Sequence, residues 1–289
     1  LLSELDSDDA NKVFPNETDK KRITSLIYYN LGYSAVTDGH KKQAEIYLNE
    51  GIKATIPDFL PIFYLKIIHL KDNNTEREKL FETIKEIIIS NNLIPANFSV
   101  NDSNLTFTKD LWIEIMYFSN KFSQKTFYDF LQLSDERFTS LNLNRQQLIF
   151  EISKTANNKS DFQTVTELLK PILKSNFNAG IENYDDEFLE ILKLFCSSSN
   201  PNENFTEKIL YEKIIFNKGK IDSVDFGILA NLLLYYVNIR NVIKAQEIID
   251  KLRDVKSEID PTLISNYFVI DYLEFRLIYE TINKIKGKE

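Results

Sequence analysis

Apolar positions recur along this chain at the three-and-four spacing of an α-helix. Leu65, Ile68 and Leu70 follow Ile62, Phe188, Ile191, Leu192 and Phe195 keep the same rhythm, and so do Ile248, Ile249 and Leu252. No segment sustains the period-two alternation of a half-buried strand bounded by hairpin turns. Breakers punctuate the helical runs at Asp38-Gly39, Ile56-Pro57, Asp72-Asn73-Asn74, Asn157-Asn158, Asn200-Pro201 and Asp260-Pro261. The pattern predicts an all-α protein of helices about three turns long, joined by short turns.

Within that pattern a unit repeats. Tyr28, Leu31, Gly32 and Ala35 are followed by Ala44, Leu48 and Gly51, with Pro57 beyond. This is close to the tetratricopeptide pattern, in which small residues let paired helices approach. Gly32 and Ala35 supply the small surface on the first helix, and Ala44 is the matching knob on the second. The spacing returns at Leu229, Leu232, Tyr236, Ala245, Ile249 and Leu252, and more weakly at Ile149, Ile152, Ser153, Ala156, Val165, Leu169 and Ile172. A still weaker copy holds Trp112, Ile115 and Ser119, followed by a helix from Phe127 to Leu133. The expected architecture is a tetratricopeptide-like superhelical array of antiparallel helix hairpins, near 22–54, 58–92, 108–138, 144–175, 185–217 and 222–255. Residues 1–19 read as a connector or leading helix and residues 20–289 as the repeat domain, with a loop over 93–106. The domain closes on a long helix near 262–286. Tyr267, Phe268, Tyr272, Phe275 and Leu277 give that helix more than one apolar stripe, so it is expected to cap the array, pair with a second copy, or both.

Composition narrows the function. Of 289 residues 43% are hydrophobic and 12% aromatic, with only 7 Gly and 7 Pro, which excludes a disordered or collagenous chain. One Cys and two His exclude a disulfide scaffold and a dedicated His/Cys metal centre. A formal charge of −8 would repel a phosphate backbone, and the short basic runs at Lys20-Lys21-Arg22 and 284–288 do not overturn that field. No apolar stretch approaches the length of a membrane span, and no signal peptide is visible, so a reducing, cytoplasmic setting is expected. The chain opens on Leu1 and not on Met, which suggests that residues precede it. Asn-x-Ser/Thr sequons such as Asn16, Asn73, Asn97, Asn101, Asn104 and Asn204 are expected by chance in a chain this rich in Asn.

Candidate chemistry is sparse. Cys196 lies within an apolar helix with no His near it in sequence and reads as a small buried hydrophobe. His40 and His69 read as turn and helix residues. Asp185, Asp186 and Glu187 open a helix, where carboxylates suit the positive end of the dipole. No glycine cluster forms a phosphate loop. No enzyme, metal or cofactor is expected. Binding is: a hairpin array presents a groove lined by its first helices. Repeat-equivalent polar residues facing it would be Asn30, Tyr33 and Thr37, then Glu151, Lys154 and Asn158, then Asn231, Leu234 and Asn238. A carboxamide both donates and accepts, so Asn30, Asn231 and Asn238 could clamp the main chain of an extended peptide.

Three segments carry a family resemblance. Lys21-Arg22-Ile23-Thr24-Ser25-Leu26 leading to Leu31-Gly32-Tyr33 looks like the start of the regulatory domain of Rgg/PrgX-like (RNPP-type) peptide-pheromone receptors. Leu168-Leu169-Lys170-Pro171-Ile172, and Asn231-Leu232 with Lys244-Ala245-Gln246, are similar to the same group. The resemblance implies the peptide-binding, dimerising sensor domain of a cytoplasmic quorum-sensing transcription regulator of Gram-positive bacteria. Its partners would be a short hydrophobic signalling peptide, a second copy of the chain, and DNA only through a missing N-terminal helix-turn-helix domain, with no membrane. The expected peptide site is Asn30, Tyr33, Lys154, Asn158, Asn231 and Asn238. The alternative is a tetratricopeptide-type adaptor that holds a protein partner's tail and takes no small peptide.

Overall fold

A computed structural model describes residues 16–56, 59–70, 73–96, 107–178, 186–198, 203–218, 221–254 and 270–279. Among these residues the protein is all-α. Twelve helices are α1 (Glu17–Thr37), α2 (Lys41–Ala54), α3 (Pro61–His69), α4 (Asn74–Ser90), α5 (Lys109–Phe122), α6 (Gln124–Arg137), α7 (Arg145–Asn158), α8 (Phe162–Asn178), α9 (Asp186–Ser198), α10 (Phe205–Lys218), α11 (Ser223–Asn238) and α12 (Val242–Asp254). A thirteenth, α13, covers 270–279. A single 3₁₀ turn, Thr139–Leu141, follows α6, and one isolated bridge pairs Ala96 with Thr108. Five of the expected hairpins stand as packed pairs, α1–α2, α3–α4, α5–α6, α9–α10 and α11–α12, and α7 and α8 follow one another in the chain between them. The first begins at Glu17, ahead of its expected start, because Asn16 caps it: the Asn16 side chain accepts from the Thr18 amide at 2.9 Å.

Local chemistry explains the boundaries. Asn73, Thr108 and Ser123 cap α4, α5 and α6 through their side-chain oxygens, and Pro61 occupies the first turn of α3. Asp222 and Asp225 form a reciprocal capping box at the start of α11. The C-terminal ends share one device. Asn92, Gly39, Ser160 and Arg240 all take positive φ, between 49° and 75°. The next amide in each case donates back into the helix: Leu93 to Ile88, His40 to Ala35, Asp161 to Ala156 and Asn241 to Tyr236. This Schellman geometry ends α4, α1, α7 and α11 alike.

Two compact units make up the chain, residues 1–155 and residues 156–289. The boundary falls inside α7. In the first unit α1 packs on α2 and α3, α3 on α5, and α4 on α6, the stacking expected of successive hairpins. Its centre is aromatic. Trp112 is fully buried and its indole N–H donates to Ser134 Oγ at 2.9 Å, with Phe130 and Phe138 rings 4.9 and 5.2 Å away. In the second unit α9 packs on α8, α10 and α11, and α11 on α10 and α12. Ala245, Ile249 and Leu252 are fully buried, as the repeat predicts.

The close approach of the first hairpin is real. A Cβ on Gly32 would lie 2.8 Å from Leu48 Cδ2, and one on Gly51 would collide with Ile62 and sit 2.8 Å from Tyr28 Cβ. Ala44, on the same helix as Gly51, is fully buried. On α13, Ile270, Leu273 and Leu277 are buried, whereas Tyr272, Phe275, Ile278 and Tyr279 are 52–67% exposed. The remaining expected aromatics of that helix, Tyr267 and Phe268, lie outside the described residues, as does most of the expected 93–106 loop.

Candidate functional site

A cleft of the first unit, about 640 Å³, sits where the α1–α2 turn meets the end of α3. Its floor is apolar: Ala35 and Val36 from the last turns of α1, and Ile68 and Leu70 from the end of α3. Its edge is polar: Lys41, Lys42 and Glu45 from the first turns of α2, with His69 and Asn73. The sequence builds this shape by two chain reversals. Gly39, at φ 75°, turns α1 into α2 without a Cβ penalty. On the other side α3 stops at His69, and Asn73 restarts the chain as the cap of α4, accepting from the Glu76 amide at 3.1 Å.

A buried polar support holds the second reversal. Lys66 is almost fully buried; its Nζ donates to Asn49 Oδ1 at 2.9 Å and pairs with Glu76 at 3.2 Å. Arg77 is fully buried too, donating through Nε to the Leu70 carbonyl and through Nη1 to Asn74 Oδ1, its guanidinium 3.7 Å from the Phe122 ring centre. These groups fix the wall carrying Leu70 and Asn73. Burial, together with Lys66 and Lys41, holds His69 below the ordinary imidazole pKa against the pull of Glu45 and Glu76. At neutral pH the ring is therefore uncharged, with one nitrogen to donate and one to accept. The cleft thus combines apolar side chains with a neutral donor–acceptor ring, two lysines and one glutamate.

The second unit holds a different polar cluster. Asp225, buried at the start of α11, accepts from the Tyr211 hydroxyl and from the Asp222 amide, and pairs with Lys193 at 3.1 Å. Lys193 also donates to Asp222 at 2.5 Å. Burial, then the hydrogen bond and charge of Asp225, push the Tyr211 phenol upward. Each group here has its partner, so the cluster ties α9, α10 and α11 together. Cys196 is buried and its thiol pKa is raised by that burial, which leaves it protonated. Among the described residues no group of three or more His, Cys, Asp or Glu could hold a metal ion. No described helix is long and apolar enough to cross a membrane.

The polar residues expected to line a peptide groove are scattered over both units. Asn30 and Tyr33 share one exposed face of α1, but Asn30 Nδ2 donates to the Leu26 carbonyl of its own helix at 2.9 Å. Neither is among the residues lining the cleft. Tyr33 stacks on Tyr29 with ring centres 6.3 Å apart. Lys154 pairs with Glu151 at 2.7 Å and lies over the Phe150 ring. Asn158 is exposed at the end of α7, and Asn231 and Asn238 stand one above the other on α11, Asn231 half-buried and Asn238 exposed. What sequence reasoning missed is the cleft itself, Lys41, Lys42, His69 and Asn73 above all. Its one legible signal was the pair of turns around Gly39 and Asn73. The groove argument instead looked along the faces of first helices, whereas the cleft opens at their ends. Comparison with protein-family models, curated proteins and solved structures finds no match to this chain, so its own residues carry the functional argument.

Proposed function

We propose that the chain is the peptide-binding, dimerising sensor domain of a quorum-sensing transcription regulator of the Rgg/PrgX kind. A short hydrophobic peptide would occupy the cleft of the first unit. The carrying observation is that cleft: its volume lies in the range of small-ligand sites, its floor is apolar, and its edge carries two lysines against one glutamate. Apolar side chains would rest on Val36, Ile68 and Leu70, with the free carboxylate at Lys41 and Lys42 and the main chain against His69 and Asn73. Asn231 and Asn238, whose side chains have no hydrogen-bond partner among the described residues, remain a second place where a carboxamide could take an extended backbone. The exposed aromatic face of α13 supports pairing with a second copy, since apolar surface of this kind is normally covered. DNA contact would belong to a helix-turn-helix domain outside this chain.

The test is calorimetry with hydrophobic peptides of about five to ten residues encoded near the gene. Wild type should bind one of them. Val36→Trp, which fills the floor, should weaken binding more than tenfold, and amidating the peptide's C-terminus should weaken it several-fold. If only Asn231→Ala and Asn238→Ala weaken it, the peptide reading stands and the cleft is the wrong seat. No binding by any such peptide transfers the protein to the adaptor reading. Sedimentation of Tyr272→Glu/Phe275→Glu, expected to be monomeric where wild type is dimeric, tests the pairing.

A further inference from the structure

A smaller cleft of the second unit, about 330 Å³, lies between α10 and α12 and is lined by Glu212, Phe216, Glu247, Asp250 and Lys251. Glu212 lines the cleft and is 6% exposed, and among the described residues its side chain has no hydrogen-bond or ion-pair partner. A carboxylate so placed keeps its acceptors open to a ligand. The neighbours that could serve are engaged elsewhere. Lys244 pairs with Glu247 at 2.5 Å, and Asp250 accepts from Gln246 at 2.9 Å. Lys251 holds its ammonium 5.6 Å above the Phe216 ring. Burial raises the Glu212 pKa, with Glu247 adding to the rise and Lys244 and Lys213 opposing it.

We infer that this cleft binds a protonated amine or guanidinium, with Glu212 accepting its N–H bonds and the face of Phe216 covering its charge. Three features select an organic cation. Asp250 adds negative charge at the edge, where Glu247 is already paired with Lys244, so an anion is disfavoured. The aromatic wall offers a quadrupole that suits a diffuse cation, and Lys251 already shows the ring in that role. The cleft lies at the small end of ligand pockets, matching one side-chain-sized group. The cation can come from a free amine or from an arginine or lysine of a partner peptide, which share this chemistry. The site lies outside the first-unit cleft and stands independently of the peptide-sensor reading.

The experiment is calorimetry on the full chain with N-acetyl-arginine-methylamide, agmatine and spermidine. The citrulline analogue of the first probe, of the same shape but uncharged, is the control. The arginine probe should bind and the citrulline analogue should not. Glu212→Gln should lose at least tenfold in affinity and Phe216→Leu several-fold, with circular dichroism confirming that each variant is folded. Near the raised Glu212 pKa, binding should also release a proton, read as an enthalpy that changes with the buffer's own ionisation heat. Tight binding of agmatine or spermidine as well assigns the site to free amines, and binding of the arginine probe alone assigns it to a peptide side chain. Equal binding of the citrulline analogue, affinity undiminished in folded Glu212→Gln, or no binding of any probe at millimolar concentration overturns the inference.

Discussion

The first hairpin, α1–α2, and the last, α11–α12, run in the same register and reach their packing by opposite means. Their turns superpose residue by residue: Gly39 and Arg240 both take positive φ, and His40 and Asn241 donate to Ala35 and Tyr236. Ala44 and Ala245 are both fully buried at the start of the second helix, as are Leu48 and Ile249 a turn later. Around those shared positions the residues diverge. Where α1–α2 has Gly32 and Gly51, α11–α12 has Leu233 and Leu252, both fully buried. Leu31 is 37% exposed, while its counterpart Leu232 is completely enclosed. The cause lies in the neighbours. Helix α11 packs on α9, α10 and α12, whereas α1 packs mainly on α2 and α3. A hairpin pressed from several sides fills its space with Leu, and one joined by near contact of its own two backbones needs glycine there.

The comparison can be broken most forcefully at the paired leucines. Leu232→Ala should lower stability by about 2–5 kcal/mol, since it opens a cavity in an enclosed site. Leu31→Ala should cost less than about 1 kcal/mol, because much of that side chain already meets water. Urea unfolding of both variants measures the difference, and equal midpoints would mean that the register does not place them in different surroundings.

A smaller effect separates the small residues. Gly51→Ala should cost about 1–3 kcal/mol, because the new methyl meets Tyr28 Cβ as well as the movable tip of Ile62. Ala44→Leu and Ala245→Leu should each cost a similar amount in their own hairpins. Thermal melts that coincide with wild type for both alanine variants would remove the close-approach argument.

The smallest expected difference is in acid. The α1 cap is Asn16, which does not titrate, whereas α11 is capped by Asp222. Burial opposes ionisation of Asp222 but is outweighed by hydrogen bonds from Lys193 and from the Asp225 and Val224 amides, so its folded pKa lies below the ordinary 3.8. The stabilisation it gives is present above that ordinary value and fades as pH falls through the lower, folded one. Hydrogen exchange at the Val224 and Asp225 amides should therefore gain protection loss at the lowest pH beyond the intrinsic pH trend, and the Thr18 amide should not. Parallel behaviour at the two caps would mean that the Asp222 contacts contribute nothing to the end of α11.

Along the chain, the three-and-four spacing, the breakers and the caps already contained the helices, and the thirteen-residue step from Leu31 to Ala44 and from Leu232 to Ala245 contained their pairing. These are local quantities: a periodic apolar face, a side-chain oxygen within reach of a free amide, a residue that tolerates positive φ. The burial of Ala44, Ala245 and Cys196 followed from the same reasoning. The tertiary structure alone decided the sites. Lys41 and Lys42 meet His69 and Asn73 only because two helix ends converge across a gap in sequence. Glu212, unremarkable in a Lys- and Glu-rich helix, comes to line a cleft only when α12 lies beside α10. Burial and electrostatic partnership depend on which surfaces meet, and a periodic pattern shows which face of a helix turns inward without saying what stands opposite it.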